Sequence, residues 1–333
     1  MSNVLLIDKK IKEFNKKIIV SGDKSISIRW VLLASQTIGK SKAYNLLMSE
    51  DVIAALQAIK RLGIKVSIHK NYCEIYGKGI NNFRYKNGLI INAKNSGTLG
   101  RLILGLLVKS PKKIKIIGDQ SLSKRDFLRV TKPLEKFGAK FEYEVKGKLP
   151  LSIIGSQNSK GIHYTENKGS AQCKSSVMLA ALNASGTTYI KAKKSRNHTE
   201  LLFKYLKVPI KIKKTKKYDY INIIKPKKIN AFNYNIPGDI SSSAFFMVLT
   251  MLSENSKLLI KNININPSRI GVITILKKMG AKILLKNKRN YKGEKISDIL
   301  IRSSKNLKGI YCPSELNSSA IDEFLIIFIA AAK

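Results

Sequence analysis

One short phrase is written three times in this chain, and a second phrase recurs around it at a nearly fixed period. Gly22-Asp23-Lys24-Ser25-Ile26-Ser27, Gly118-Asp119-Gln120-Ser121-Leu122-Ser123 and Gly238-Asp239-Ile240-Ser241-Ser242-Ser243 share a Gly-Asp-x-Ser pattern. The first and third run straight into long apolar stretches that read as helices. Glycine frees the backbone to turn, and Asp or Ser caps the helix that follows. Such a helix start suits an anion, because its first N–H groups have no partner within the helix.

The second phrase is Leu62-Gly63-Ile64-Lys65-Val66, repeated as Phe137-Gly138-Ala139-Lys140-Phe141 and Met279-Gly280-Ala281-Lys282-Ile283. Each copy closes an amphipathic helix with a C-terminal Gly and launches a strand. Tyr205-Leu206-Lys207-Val208 is a degenerate copy, with Lys207 in the place of Gly. The spacings are 75, 69 and 73 residues. A chain with this period is an array of α/β units, each of strands and two helices. Four units are expected to be complete and a fifth begun.

Helices are expected over 25–35, 51–62, 98–108, 126–137, 171–182, from 199, over 241–253, 269–279 and 319–333. Strands are expected over 17–20, 65–69, 73–76, 89–92, 113–117, 140–144, 151–154, 188–192, 210–213, 220–224, 257–261 and 282–285. Asn266-Pro267-Ser268 reads as an N-cap with Pro at the first helical position.

Composition removes some classes of function. The longest apolar run, 324–332, is too short to span a bilayer, and the N-terminus has no signal-peptide character. Cys73, Cys173 and Cys312 are odd in number and scattered, without metal-ligand spacing. They read as free thiols of a reducing, cytoplasmic protein. The formal charge of +41 invites a nucleic-acid reading, but the excess is spread along the chain and few aromatics interleave with it. Specific nucleic-acid binding is therefore not expected, and anionic small molecules fit the charge equally well. Only ten of the 62 basic residues are Arg, yet Arg29, Arg101, Arg125, Arg196 and Arg269 all fall in distinctive motifs. Only Arg offers a flat fork for bidentate contact with phosphate or carboxylate.

These motifs closely resemble, in order and over essentially the whole chain, the 5-enolpyruvylshikimate-3-phosphate synthase branch of the enolpyruvyl transferase family. Gly22 to Arg29 is similar to that family's first substrate loop. Asn95-Ser96-Gly97-Thr98 with Arg101 is similar to its phosphoenolpyruvate loop. Asp119 to Arg125, Ser170-Ala171-Gln172, Ser195-Arg196, Pro237-Gly238-Asp239, Asn266 to Arg269 and Ile321-Asp322-Glu323 follow in the same order.

The resemblance implies an α/β fold of two similar domains built from βαβαββ units, an inside-out α/β barrel. Residues 19–235 would form a complete three-unit domain. Residues 1–18 with 236–333 would form a discontinuous second one, incomplete at its C-terminus. The implied reaction transfers the enolpyruvyl group of phosphoenolpyruvate to the 5-hydroxyl of shikimate 3-phosphate. It proceeds by addition and elimination through a tetrahedral intermediate, without metal or organic cofactor. Both partners are small anions, no membrane is involved, and a monomer is expected.

The resemblance also assigns residues. Lys24 would contact both substrates, and with Asp322 would be catalytic, Asp322 taking the 5-hydroxyl proton. Ser25, Arg29, Ser170, Gln172, Ser195 and Arg196 would hold shikimate 3-phosphate together with Lys24 and Asp322. Asn95, Gly97, Thr98, Arg125 and Gln172 would hold phosphoenolpyruvate with Lys24, and Arg101 would either support that loop or touch ligand. His198 lies in a motif, whereas His69 and His163 are given no role. Ala171, Ile28 and Leu325 depart from the usual Ser, His and Pro of relatives. The family's further Lys, Glu and Arg groups come after the point where this chain stops, so the isolated chain is expected to show no turnover. Two alternatives stay open: the sister enzyme acting on UDP-N-acetylglucosamine, and a non-catalytic basic anion- or nucleic-acid-binding protein.

Overall fold

The seventy-residue period folds as a four-stranded sheet with two helices, and the chain uses it four times. The computed structural model describes Leu6 and residues 11–332. β1 (Asn15–Ile18) leads to α1 (Lys24–Ala34), β2 (Ile38–Tyr44), α2 (Glu50–Arg61), β3 (Lys65–Ile68) and β4 (Tyr72–Lys78). Next come β5 (Leu89–Asn92), α3 (Gly97–Leu106), β6 (Ile114–Ile117), the short α4 (Gln120–Ser123), α5 (Leu128–Glu135), β7 (Lys140–Tyr143) and β8 (Leu151–Ile154). The third passage is β9 (His163–Glu166), α6 (Ala171–Ala181), β10 (Thr187–Lys193), α7 (His198–Tyr205), β11 (Ile210–Lys214) and β12 (Tyr218–Ile224). The last is β13 (Asn233–Asn235), α8 (Ile240–Leu252), β14 (Lys257–Asn264), α9 (Gly271–Lys278), β15 (Lys282–Tyr291) and β16 (Glu294–Arg302), followed by α10 (Asn317–Ala320) and α11 (Phe324–Ala331).

All four sheets share one plan. Their orders are β13-β2-β4-β3, β5-β6-β8-β7, β9-β10-β12-β11 and β1-β14-β16-β15. In each, the first two strands are parallel, and the last strand of the repeat lies antiparallel beside the second. The sheets stay separate, and none closes into a barrel. Two leading strands are exchanged, since β1 precedes α1 but pairs with β14, while β13 precedes α8 but pairs with β2.

The chain divides into two compact units. The larger holds Gly22–Ile236 and Lys292–Glu294, and the smaller holds the rest of the described residues. In the larger unit, α1, α3 and α6 are buried almost all round. Gly105 brings α3 against α6, because a Cβ there would lie 2.1 Å from the Ser176 carbonyl oxygen. In the smaller unit α8 packs through Ile240, Ala244, Met247 and Met251 on β14 and α9 residues such as Ile260 and Ile275. Phe245, Phe246 and Leu249 of α8 stay exposed, as do Leu325, Phe328 and Ile329 of α11.

Both repeated phrases have physical causes visible here. Asp23, Asp119 and Asp239 are N-caps, accepting from the N–H groups of Ile26, Leu122 and Ser241 at 2.9, 2.7 and 2.7 Å. Their glycines serve close approach rather than a left-handed turn. A Cβ on Gly22 would lie 2.1 Å from the Asn45 carbonyl oxygen, and one on Gly238 would lie 2.7 Å from Ile263. In the second phrase Gly63, Gly138, Gly280 and the substitute Lys207 all take positive φ, the conformation that ends a helix.

Several expectations need correction. β2, β9, β13 and β16 were not expected as strands. β2 turns only Ser41 and Ala43 inward, and β16 buries Glu294, Ser297 and Asp298, so neither shows apolar alternation. Asn266 does not cap α9; its side chain accepts from the Ser268 N–H at 3.0 Å and closes a turn ahead of Gly271. The helix expected over 319–333 is broken by a turn at 321–323, and Lys333 lies outside the described residues. We expect Gly105→Ala to destabilise the protein by about 1–3 kcal/mol or more, since backbone blocks the new methyl. Urea unfolding checks this, and an unchanged midpoint would show that the two helices can separate freely.

Candidate active site

Three groups of polar side chains assemble at helix starts of the larger unit. The first links the Asn95 loop to the second Gly-Asp phrase. The Asn95 amide donates to Asp119 at 2.5 Å, and its oxygen accepts from Arg125 at 3.4 Å. That amide, chiefly, holds the Asp119 carboxyl below the usual aspartate range. Asp119 therefore stays ionised, caps α4 and positions the residues leading to Arg125.

The second group ties α3 to α6. Ser96 caps α3 by accepting from Leu99 N–H, and Ser170 caps α6 by accepting from Cys173 N–H. Arg101 donates to Gln172 at 2.7 Å, and the Gln172 amide donates to Thr98 at 3.0 Å. Arg101 also lies over the Phe127 ring, and burial lowers its pKa from the ordinary arginine value. A Cβ on Gly97 would lie 2.9 Å from one Arg101 nitrogen and 3.0 Å from one of Arg125. Gly97 thus leaves two guanidinium groups converging on the start of α3.

The third group is buried. Arg29 donates to Thr199 at 2.8 Å, to Ser175 at 3.2 Å and back to the Ser25 carbonyl at 2.9 Å. Burial pushes its pKa down to about 10, with Glu200 and Asp23 opposing, so it remains charged at neutral pH. Lys174 and Glu200 form a buried ion pair at 2.6 Å. His198 Nδ1 lies 2.7 Å from Glu294, and both side chains are fully buried. α7 starts at this group without a side-chain cap. Just before it, half-buried Ser195 keeps a buried hydroxyl with no hydrogen-bond partner, next to Arg196. An unpartnered buried hydroxyl is costly unless a ligand or water completes it.

The predicted residues are therefore only partly clustered by direct contact. Asn95 meets Arg125, and Thr98 meets Gln172. Lys24, at the first position of α1, lies 3.9 Å from Asp51. Asp322 belongs to the smaller unit, half exposed in the turn before α11 and 4.0 Å from Arg269. Arg269 is buried, donates to Ser241 at 2.6 Å and also faces Asp239 and Glu323. The Ser241 hydroxyl donates to Glu323. The third Gly-Asp phrase, the Arg269 motif and the Asp322 motif thus form one charge cluster.

Sequence reasoning missed Lys174, Ser175, Glu294 and Glu323 as partners. Glu323 stood inside a recognised motif and Lys174 lay two residues beyond one, but nothing in the spacing tied Glu294 to His198. Glu200→Ala should cost about 3–5 kcal/mol by leaving the Lys174 charge buried and unpaired. Replacing both, Lys174→Met with Glu200→Leu, should recover most of that loss in urea unfolding; equal losses would assign the cost to packing instead.

Comparison with known proteins identifies the family. The family profile described as EPSP synthase (3-phosphoshikimate 1-carboxyvinyltransferase) matches residues 9–333. The 3-phosphoshikimate 1-carboxyvinyltransferase of Ruthia magnifica is 44% identical over 314 residues, covering 94% of this chain and 71% of that protein. The same-named protein of Hydrogenovibrio crunogenus is 41% identical over 319 residues, covering 95% and 71%. A solved structure of EPSP synthase from Acinetobacter baumannii superposes with a TM-score of 0.87 at 37% identity, covering 96% of this chain and 72% of that one. Family profile, relatives and fold agree, and the chain belongs to the EPSP synthase family.

Proposed function

We propose that the helix starts of the larger unit hold the two anionic substrates of this family, shikimate 3-phosphate and phosphoenolpyruvate. The chain is a transferase of the 3-phosphoshikimate 1-carboxyvinyltransferase type, which acts in the shikimate route to aromatic amino acids. The observation that carries the residue assignment is the convergence of Arg101 and Arg125 on Gly97. Two guanidinium groups at an uncrowded helix start suit a small dianion.

In this reading Arg125 clamps phosphoenolpyruvate, with Asn95, Gly97, Thr98 and Gln172 shaping its loop and Arg101 bracing it through Gln172. The phosphate of shikimate 3-phosphate takes the orphaned Ser195 hydroxyl, Arg196 and Ser170. Arg29 acts with Ser25 on the ring side, using donors not committed to Thr199, Ser175 and the Ser25 carbonyl. Lys24 neutralises charge on both substrates. Asp322 accepts the 5-hydroxyl proton as that oxygen adds to the enol carbon and a proton joins the methylene. Collapse of the tetrahedral intermediate then expels phosphate as the new methyl group gives back a proton, which restores the carbon–carbon double bond of the enolpyruvyl group. Holding two anions in register removes most of the entropic barrier to this addition. We place the protein in the cytoplasm as a monomer, without metal or organic cofactor; no helix among the described residues is long and apolar enough to cross a membrane.

Calorimetry on the chain tests the assignment. Shikimate 3-phosphate should bind and UDP-N-acetylglucosamine should not. Arg196→Ala should weaken shikimate 3-phosphate at least tenfold, and Arg125→Ala should do the same for phosphoenolpyruvate alone. Gly97→Ala should also weaken phosphoenolpyruvate by displacing both guanidinium groups. Asp322→Ala should cost about tenfold with shikimate 3-phosphate and nothing with its 5-deoxy analogue. Preference for the UDP-sugar would overturn the substrate assignment, and an equal loss with the analogue would remove Asp322 from the 5-hydroxyl.

A further inference from the structure

The sequence argued against nucleic acid because aromatics did not interleave with the lysines along the chain. The fold interleaves them across one sheet. In the β9-β10-β12-β11 sheet, register aligns His163, Tyr189, Asn222 and Lys211 in one row on the outward face. The next row aligns Lys191, Tyr220 and Lys213, and a third aligns Lys193 with Tyr218. The alternate residues Ile190, Ala192, Asp219, Ile221 and Ile223 point inward and are buried. Tyr189 and Tyr220 are 41% and 39% exposed, enough to leave ring surface open. The Lys191 ammonium stands 4.8 Å over the Tyr218 ring, and His163 stacks on Tyr189 at 4.6 Å. Cations and rings therefore already alternate in contact.

A lysine-rich composition alone does not account for this face, because the other three sheets of the same plan differ. Glu74 lies 3.4 Å from both Lys40 and Lys42 on the β13-β2-β4-β3 sheet. On the β5-β6-β8-β7 sheet, Lys113 pairs with Glu142 at 2.5 Å and Lys115 with Glu144 at 2.7 Å. On the fourth sheet, Lys261 pairs with Asp298 at 2.5 Å. In each case a carboxylate on or directly beside another strand of the sheet answers the lysine. Lys191, Lys193, Lys211 and Lys213 have no carboxylate opposite them in the register, and the nearest acids of the sheet, Glu166 and Asp219, are turned inward and buried.

We propose that this outward face binds single-stranded nucleic acid, with Tyr189 and Tyr220 stacking bases and Lys191, Lys193, Lys211 and Lys213 meeting phosphates. Rows about 7 Å apart along strands about 4.8 Å from one another give successive rings and cations the spacing of a flexible single strand. A duplex hides its base faces from such rings. An anionic membrane would use the lysines but has nothing to stack on the tyrosines.

Fluorescence anisotropy of a labelled dT12 oligonucleotide on the whole chain tests this. Four phosphate contacts predict an affinity falling about 50-fold between 50 and 200 mM salt. Tyr189→Ala with Tyr220→Ala should weaken binding about tenfold or more while leaving the salt slope unchanged. Lys191→Gln with Lys213→Gln should flatten that slope by about 1.4. Lys113→Gln with Lys115→Gln, which removes the same charge from the carboxylate-paired face, should change neither. All these side chains reach solvent, and matched circular dichroism confirms that the variants fold. The proposal is overturned by any of three results: insensitivity to the tyrosine pair, equal affinity for a 12-base-pair duplex or heparin, or binding to phosphatidylserine vesicles without binding to dT12. Competition by shikimate 3-phosphate would move the oligonucleotide to the substrate loops and also overturn it.

Discussion

A helix that begins inside protein has no water to satisfy its first N–H groups, and this constraint shapes each repeat. α1, α3, α6 and α8 are each supplied with a side-chain oxygen, from Asp23, Ser96, Ser170 and Asp239. Each of these caps accepts from an N–H of the first turn, and a helix start has four such groups to satisfy. The residues beside the caps, Lys24 and Ser25, Gly97 and Thr98, and Gln172, are the ones the substrate reading uses. Capping and recognition thus share the same few positions. This is why the Gly-Asp phrase could be read both as a structural repeat and as an anion signal. In its third copy Asp239 and Ser241 meet Arg269 inside a protein charge cluster, so there the capping role dominates.

Much of the fold was legible because its signals are local. A Schellman-type helix end needs a residue at positive φ two steps before a strand, and Gly63, Gly138 and Gly280 announce it. Lys207 adopts the same conformation, with Val208 N–H reaching the Phe203 carbonyl at 2.9 Å, although a side chain makes it less favourable. The period could therefore be counted through a copy that had lost its glycine. Strands whose inward faces carry polar groups were not legible. β16 holds Glu294 for His198 and Asp298 for Lys261, and these partners lie far away in sequence. The site divided in the same way. Arg125 and Gln172 stood in recognisable loops, whereas the bond from Arg101 to Gln172 depends on how closely Gly105 lets two helices approach. No local pattern encodes that distance.

The charge follows from the allocation of carboxylates rather than from lysine count alone. Among the described residues nine carboxylates are buried: Asp23, Glu74, Glu166, Glu200, Asp219, Asp239, Glu294, Asp298 and Glu323. Buried cations must be paired, so Lys174 and Arg269 have first claim on these acids, and helix starts claim others. Where a carboxylate meets the lysines of a sheet, it neutralises that face locally. The result is a described interior richer in carboxylates than in cations, where Arg29, Lys174 and Arg269 are buried, while the excess positive charge stands at the surface. The two populations respond differently to salt. Exposed lysines act through a field that is largely screened beyond about 8 Å at physiological ionic strength, whereas the Arg29 and Lys174 contacts, removed from water, are screened far less. Recognition that depends on Arg29 and Ser195 should therefore persist in salt that abolishes attraction to the lysine faces.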